Sequence, residues 1–441
     1  MLNVLIIAGA LASVGVTSSR FAVVASRESL VVASQQSLDT SPEGMSPEVA
    51  LTIYHSPFNS SQYPVVSSQD KISTLYSPIS TLYSPLSTLK GDSTLAEVTI
   101  SAPKYPEKLA RTGKVVSVIS AEMIQANQGK SLGELLQQSV GVAVVGARSA
   151  PGTNQEIYVR GANTGHVLLL MDGFPLNDPS HISSVMDWNL INLSNIERIE
   201  ILKGGQSTLY GSDAMAAVIN LVTRKNAKGI QFLLQGGGLG THQQQISWSA
   251  RKGNNSLQIQ VQNYATDGFS SAKIAQGKAE ADGFKQQSWG VKWGRDFGKN
   301  GNLDFSYSSQ LYQGNLDNGP FVDDRDYTSK ATSHSFRAQY QVKNWTVRAF
   351  QDLIRREFRN DSTDIPANAW SKFGLSTYAG LSQGFEAFVK IPVKENAALL
   401  LGSEFRRQKT EQRDLSISDY GPYISPDLSE KQKTQQIVGT Y

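Results

Sequence analysis

The most regular signal in the chain is an alternation of apolar and polar residues with period two, which begins after Gly229 and recurs to the end. Leu257, Ile259 and Val261 interleave with Gln258, Gln260 and Gln262; Trp289, Val291 and Trp293 interleave with Gly290, Lys292 and Gly294. Leu303, Phe305 and Tyr307 alternate in the same way, as do Phe336, Ala338, Tyr340 and Val342. Each stretch has one apolar and one polar face, as a strand needs between lipid and a watery lumen. Connections alternate in length as well: Gly298–Gly301 and Lys343–Asn344 are short, whereas Gly314–Ser329 is long. That rhythm is expected of a barrel with turns on one side of a membrane and loops on the other. A soluble antiparallel sheet alternates too, so the pattern by itself leaves both open.

Between Glu97 and Lys225 the texture is different, with short apolar segments separated by Gly, Asn, Asp and Pro. Helical spacing predicts helices at Ala121–Ile124 and Ser131–Leu136, with Ser120 and Ser131 as N-caps and Glu122 in the first turn. Val115–Ile119, Glu156–Val159, Val167–Met171 and Ile196–Leu202 read as strands. Asp172-Gly173 and Gly204-Gly205 supply backbone freedom at the turns between them. The expectation is a compact α+β domain over residues 107–228.

Composition narrows the class. The chain has 441 residues, a net charge of +3 and no cysteine. Disulfide frameworks, thiolate metal sites and cysteine nucleophiles are excluded, and no Lys/Arg block forms a nucleic-acid patch. Phosphate-loop, His-Glu-x-x-His and nucleophile-elbow motifs are missing, so nothing in the residues asks for an enzyme, a cofactor or a metal. The apolar run Val4–Val16 is too short to span a bilayer as a helix and resembles a signal-peptide core over residues 1–19. It lacks the usual basic start, and a buried strand or helix is the alternative. Residues 20–92 are rich in Ser, Val and Pro and carry a seven-residue repeat, Ile72-Ser-Thr-Leu-Tyr-Ser-Pro78 followed by Ile79-Ser-Thr-Leu-Tyr-Ser-Pro85. They read as a flexible extension; the alternative is a misassigned start that adds non-natural coding sequence.

The residues then carry a specific resemblance. Ile157-Tyr-Val-Arg-Gly161, Val167-Leu-Leu-Leu-Met-Asp-Gly-Phe-Pro-Leu176, Ile196-Glu-Arg-Ile-Glu-Ile-Leu-Lys-Gly-Gly205 and Ala216-Ala-Val-Ile-Asn-Leu-Val-Thr223 occur in order. Together with Ser207-Thr-Leu-Tyr-Gly-Ser212, they resemble the plug domain of TonB-dependent outer-membrane receptors. The run Tyr158–His166 and Asp172–Asn177 look most like cobalamin (vitamin B12) receptors of that family. The fold implied is an α+β plug domain followed by an antiparallel transmembrane β-barrel. Members enclose the plug in about 22 strands, and residues 229–441 hold only about ten by this reading. The barrel is therefore expected to be incomplete, and the chain a fragment or the product of a truncated frame.

The resemblance also implies roles. Residues 93–106 are expected to hold the TonB box, Glu97-Val98-Thr99-Ile100-Ser101-Ala102, and its linker. An alternating hexamer of this kind can add as a strand to a partner's sheet edge, and Pro103 then stops the ladder. Loops carrying Arg148, Ser149, Thr153 and Asn154, and Asn177, Asp178, His181, Asp187 and Trp188, fall where the family's ligand-facing apical loops lie. Arg160, Asp172, Glu197, Arg198, Glu200 and Arg224 flank the plug strands; they are either solvated or paired with charges on the barrel lumen. The implied activity is import of a scarce polar ligand, cobalamin or a metal chelate such as a siderophore or haem. It would occur at the outer membrane of a Gram-negative bacterium, in a monomer contacting lipid and drawing energy from a TonB-type inner-membrane protein. A non-transporting binding or signalling module, or a truncated non-functional fragment, is the alternative of another class. Replacing Val98 by Pro removes a main-chain donor from the box. Energised uptake should vanish while ligand binding persists; unchanged uptake would place the box elsewhere.

Overall fold

The computed structural model describes residues 99–441, apart from 102–103, 106, 109–112, 128, 182, 225–228, 274–278, 320, 362–370, 395–396 and 420–423, together with three short strands before residue 54. These are β1 (Arg20–Ala25), β2 (Leu30–Gln35) and β3 (Val49–Ile53). The repeat at 72–89 and the Val4–Val16 run lie outside the described residues.

The plug begins with a two-residue ladder, β4 (Thr99–Ile100) against β5 (Glu107–Lys108). It continues through β6 (Val115–Ile119), α1 (Ala121–Ala126), α2 (Leu132–Leu136), β7 (Val142–Val145), β8 (Glu156–Val159), β9 (Val167–Met171) and β10 (Phe174–Pro175). β11 (Ile196–Lys203), α3 (Ser207–Tyr210) and β12 (Ala217–Thr223) complete it. Both helices start where the sequence places their caps. The Ser120 hydroxyl accepts from the Met123 amide, and Ser131 forms a capping box with Glu134.

The central sheet runs β10-β9-β12-β11-β6, with β9 and β12 parallel and the other pairs antiparallel. It is covered on both faces, which is why β12 reads as an almost unbroken apolar run with every residue buried. Ile199, Ile201, Ile219 and Leu221 join a core with both helices, while Leu202, Val218, Leu168 and Leu170 pack on Tyr210. Between the apolar positions sit Glu200 and Asn220, both fully buried.

Ten consecutive antiparallel strands follow: β13 (Gly229–Gly236), β14 (His242–Lys252), β15 (Asn255–Thr266), β16 (Phe284–Asp296), β17 (Asn302–Asn315), β18 (Thr328–Val342), β19 (Trp345–Asp361), β20 (Ser371–Lys394), β21 (Ala397–Asp419) and β22 (Ile424–Thr440). The predicted alternation is visible in exposure: Trp289, Phe305, Phe336 and Leu353 face outward, while Ser288, Arg337, Arg348 and Asp352 are buried against the plug. The sheet does not close, since β13 and β22 are not neighbours, and β3 pairs in parallel with the β13 edge. No described helix is long and apolar enough to cross a membrane.

The wall and plug share one apolar core as well as polar contacts. Phe284, Tyr312, Ala331 and Ile354 of the wall belong to the same cluster as the plug's Leu136 and Ile201. The contact is thus greasier than a purely charge-paired seating of the plug would be. Ile201 is fully buried at its centre. Ile201→Ala should cost about 2–5 kcal/mol, read as a lower urea midpoint for loss of hydrogen-exchange protection in β11 and β12.

Candidate functional site

The site is the plug's lower edge, where the segment ahead of it is tied down, and the seam it forms with the barrel wall. Of the expected TonB box, Glu97, Val98 and Ala102 lie outside the described residues. Thr99 and Ile100 form β4, and Ile100 is fully buried. The Ser101 amide donates to the Glu200 carboxylate at 2.9 Å. Asn220 joins this group by donating to Ser101 Oγ at 3.1 Å, and its own carbonyl accepts from the Gly173 amide at 3.0 Å. Arg198 supplies the countercharge to Glu200 at 2.9 Å and also reaches Glu197. Buried polar groups need such partners; Ser101 adds to a network in which Glu200 and Asn220 also bond to Arg198, Gly173 and each other.

Three residues on, Lys104 is buried with a left-handed backbone (φ 76°). Its ammonium pairs with Glu386 on β20 and lies 3.8 Å from the Tyr441 ring centre and 4.9 Å from that of Tyr210. Burial lowers the Lys104 pKa, against the opposing pull of Glu386.

The remaining plug–wall contacts divide by side. Toward β18–β21 they are ionic or charge-assisted. Arg356 meets Asp178 at 2.8 Å, Arg406 approaches Asp213 at 3.7 Å, and Arg348 donates to the Gly173 carbonyl. Gly173 has φ 81°, and a side chain there would meet the Arg348 guanidinium at 3.1 Å, so the Asp172-Gly173 turn fits this wall closely. Toward β14–β16 the contacts are mostly amide and hydroxyl, with one ion pair, Lys292–Asp172 at 3.0 Å. Burial alone would raise the Asp172 pKa; Lys292 and Thr223 outweigh it and hold the carboxyl low.

The expected apical residues separate into two groups. Arg148, Ser149 and Asn154 are exposed and Thr153 is half-buried, so this loop presents an open polar face. In the second loop, Asn177 donates to Asp213, Asp178 is fully buried in its pair with Arg356, and Trp188 is buried in the core. Asp187 accepts from the Tyr312 hydroxyl, and burial raises its pKa. His181 accepts from the Ser183 amide; burial, then Arg356, lowers its pKa. Of the charges flanking the strands, Arg160 is exposed and Arg224 is half-buried beside a cavity against the wall.

Sequence reasoning missed the wall partners Lys292, Arg348, Arg356, Arg406 and Glu386. Their signal was present: Arg348, Asp352 and Arg356 occupy every fourth position on the inward face of β19. It also missed a carboxylate trio in the long loops, Glu280, Asp317 and Asp323, whose oxygens lie within 4.8 Å of one another. Burial, then Asp323 and Asp282, pushes the Glu280 carboxyl up to about 7. All-oxygen donors of this charge suit a hard divalent cation. Glu280 and Asp323 are 43 residues apart in sequence, so no local spacing could reveal the group.

Comparison with known proteins completes the picture. Residues 108–218 match the TonB-dependent Receptor Plug Domain. The chain is 31% identical over 194 residues to a vitamin B12 transporter BtuB of Photobacterium profundum, covering 43% of this chain and 31% of that protein. It is 25% identical over 358 residues to the BtuB of Vibrio vulnificus, covering 75% and 55%. The chain thus spans about a third to about half the length of these curated relatives. In fold it is similar to the pyoverdine outer membrane receptor FpvA of Pseudomonas aeruginosa, with a TM-score of 0.61 at 15% identity over 78% of this chain and 56% of that one. A siderophore receptor PiuA from Acinetobacter baumannii gives 0.54 at 13% identity, covering 75% and 54%. The chain thus carries a TonB-dependent receptor plug domain at residues 108–218, followed by a ten-strand sheet, and its sequence is similar to BtuB transporters.

Proposed function

We propose that the protein is an outer-membrane receptor that imports cobalamin or a similar scarce polar ligand in a Gram-negative bacterium, driven by a TonB-type inner-membrane partner. The observation that carries this reading is the docking of residues 99–104. They are held under the plug by a few separable contacts, Ser101 to Glu200 and Lys104 to Glu386. A two-residue ladder and two side-chain anchors suit a segment that must be released and captured as an added strand. The exposed Arg148, Ser149 and Asn154 offer hydrogen-bond donors and charge to a ligand. The likeness to vitamin B12 transporters supports this ligand class.

The test is uptake of radiolabelled cyanocobalamin by cells that lack their own receptor and produce this protein, with and without a protonophore. Protonophore-sensitive accumulation supports the reading. Binding without accumulation would favour a non-transporting receptor, and import of a ferric siderophore instead would move the specificity within the family.

The anchor makes a further prediction. Glu386→Gln leaves the Lys104 ammonium buried without its countercharge, a loss of about 3–5 kcal/mol when one partner of a buried pair is removed. Undocking relieves that penalty by letting Lys104 reach water. A spin label on Thr99→Cys should therefore become mobile in the Glu386→Gln background without ligand. An immobile label would mean that Glu200 alone holds the segment.

A further inference from the structure

Three cavities lie one below another in the seam between the plug and strands β14–β17. The upper, about 500 Å³, is lined by Arg148 and Phe269 near the long loops. The lower, about 590 Å³, is lined by Asn254 and Asp296 at the short turns. Between them is a space of about 60 Å³. Asn192 lines both the upper and the middle cavity, and Gln258 lines both the middle and the lower. A small organic ligand needs roughly 300–1,000 Å³, so either end has room for one and the middle has not.

The hydrogen bonds that close the neck at Asn192 and Asn195 join uncharged groups, although Asp172, Lys292 and Arg337 also line the middle cavity. The Asn192 amide donates to Ser288 Oγ at 2.7 Å, and the Gln258 amide donates to Asn195 Oδ1 at 3.1 Å. Just above, Ser194 accepts from Gln243 at 2.9 Å and donates to Gln262 at 2.7 Å. Each cavity also contains buried polar atoms with no protein partner among the described residues: Gln235 Oε1 above, Gln260 and Gln310 Oε1 in the middle, Ser249 Oγ below. Such atoms demand water or a polar solute. The flanking exceptions are Tyr312–Asp187 at the β17 border and Lys292–Asp172, whose side chains are both partly open to water.

The β18–β21 wall is built differently, with Asp178–Arg356 buried as an ion pair. Separating a buried ion pair strands two charges, whereas an amide–hydroxyl contact exchanges for water at little net loss. The neck residues also have a mechanical connection. Asn192–Asn195 lead directly into β11, the strand whose Glu200 holds Ser101.

We infer that the Gln-lined seam is the cargo's route: a solute rich in amide and hydroxyl groups passes between plug residues 192–195 and the β14–β16 wall, while β18–β21 retain the plug. The route rests on the transport reading; the seam's opening does not. The chain contains no native cysteine, so single thiols report cleanly.

Ser288→Cys on the neck wall and Ser382→Cys on β20 replace serines that are 5% and 2% exposed. In purified protein at sub-denaturing urea, a small maleimide should label Ser288→Cys at least tenfold faster. Equal rates, or faster labelling at Ser382→Cys, would overturn the inference whether or not the protein transports anything. In cells, an oxidised Asn192→Cys/Ser288→Cys pair should block cyanocobalamin uptake until reduced. A Pro179→Cys/Gly380→Cys pair, across the other wall, should leave it intact. Block by the second pair alone would reverse the assignment of the two walls. Absence of uptake in the unsubstituted protein would count against transport, with the labelling rates still deciding which seam opens.

Discussion

Backbone N–H and C=O groups facing hydrocarbon have no water to bond, so every one must find a partner within the sheet. That constraint sets the ladder from β13 to β22, and the ladder in turn sets a period of two for everything else. Outward positions must be apolar; inward positions are free to be polar, and the plug meets only those. Lys292, Arg348, Arg356, Glu386 and Arg406 all lie at inward positions, as do Gln258, Gln260, Gln262 and Gln286. The polarity of the seam therefore goes with the alternation that makes the other face apolar. Its division into a mostly ionic side and a side rich in amides and hydroxyls is a property of this chain.

The division matters because the two contact types respond differently to water. Asp178 is fully buried against Arg356, and a close backbone approach at Gly380 brings the wall against Asp178 and Pro179. Near Asn192, unpaired glutamine oxygens already face cavities. The four wall side chains that join the plug core add apolar adhesion near the long loops. The plug is thus seated firmly at one side and at the top, and lightly along the seam that widens at both ends.

Much of this was legible in the sequence where local rules act. The caps at Ser120 and Ser131, the strands of the plug and the alternation of the wall follow from short-range pattern, and the motifs from Ile157 to Thr223 carried the family. Residues whose role depends on distant partners were not legible in the same way. Trp188 and Asp178, expected to face a ligand, are buried by contacts with the core and with Arg356. Glu280, Asp317 and Asp323 converge only because two long loops meet. Lys104 follows the expected box yet carries its own anchor, and nothing in a Pro-Lys-Tyr sequence announces a partner on β20.

The hairpin formed by β4 and β5 has a mechanical meaning. Its register pairs Thr99 with Lys108 and Ile100 with Glu107, so the chain enters at the open end and turns back through Lys104. Tension applied from residue 98 loads Thr99–Lys108 first and Ile100–Glu107 only after it parts. This is unzipping, in which bonds fail one at a time, as opposed to shear, in which they share the load. Release thereby starts at a lower force than shear would need, and the Ser101 and Lys104 anchors set the resistance met next.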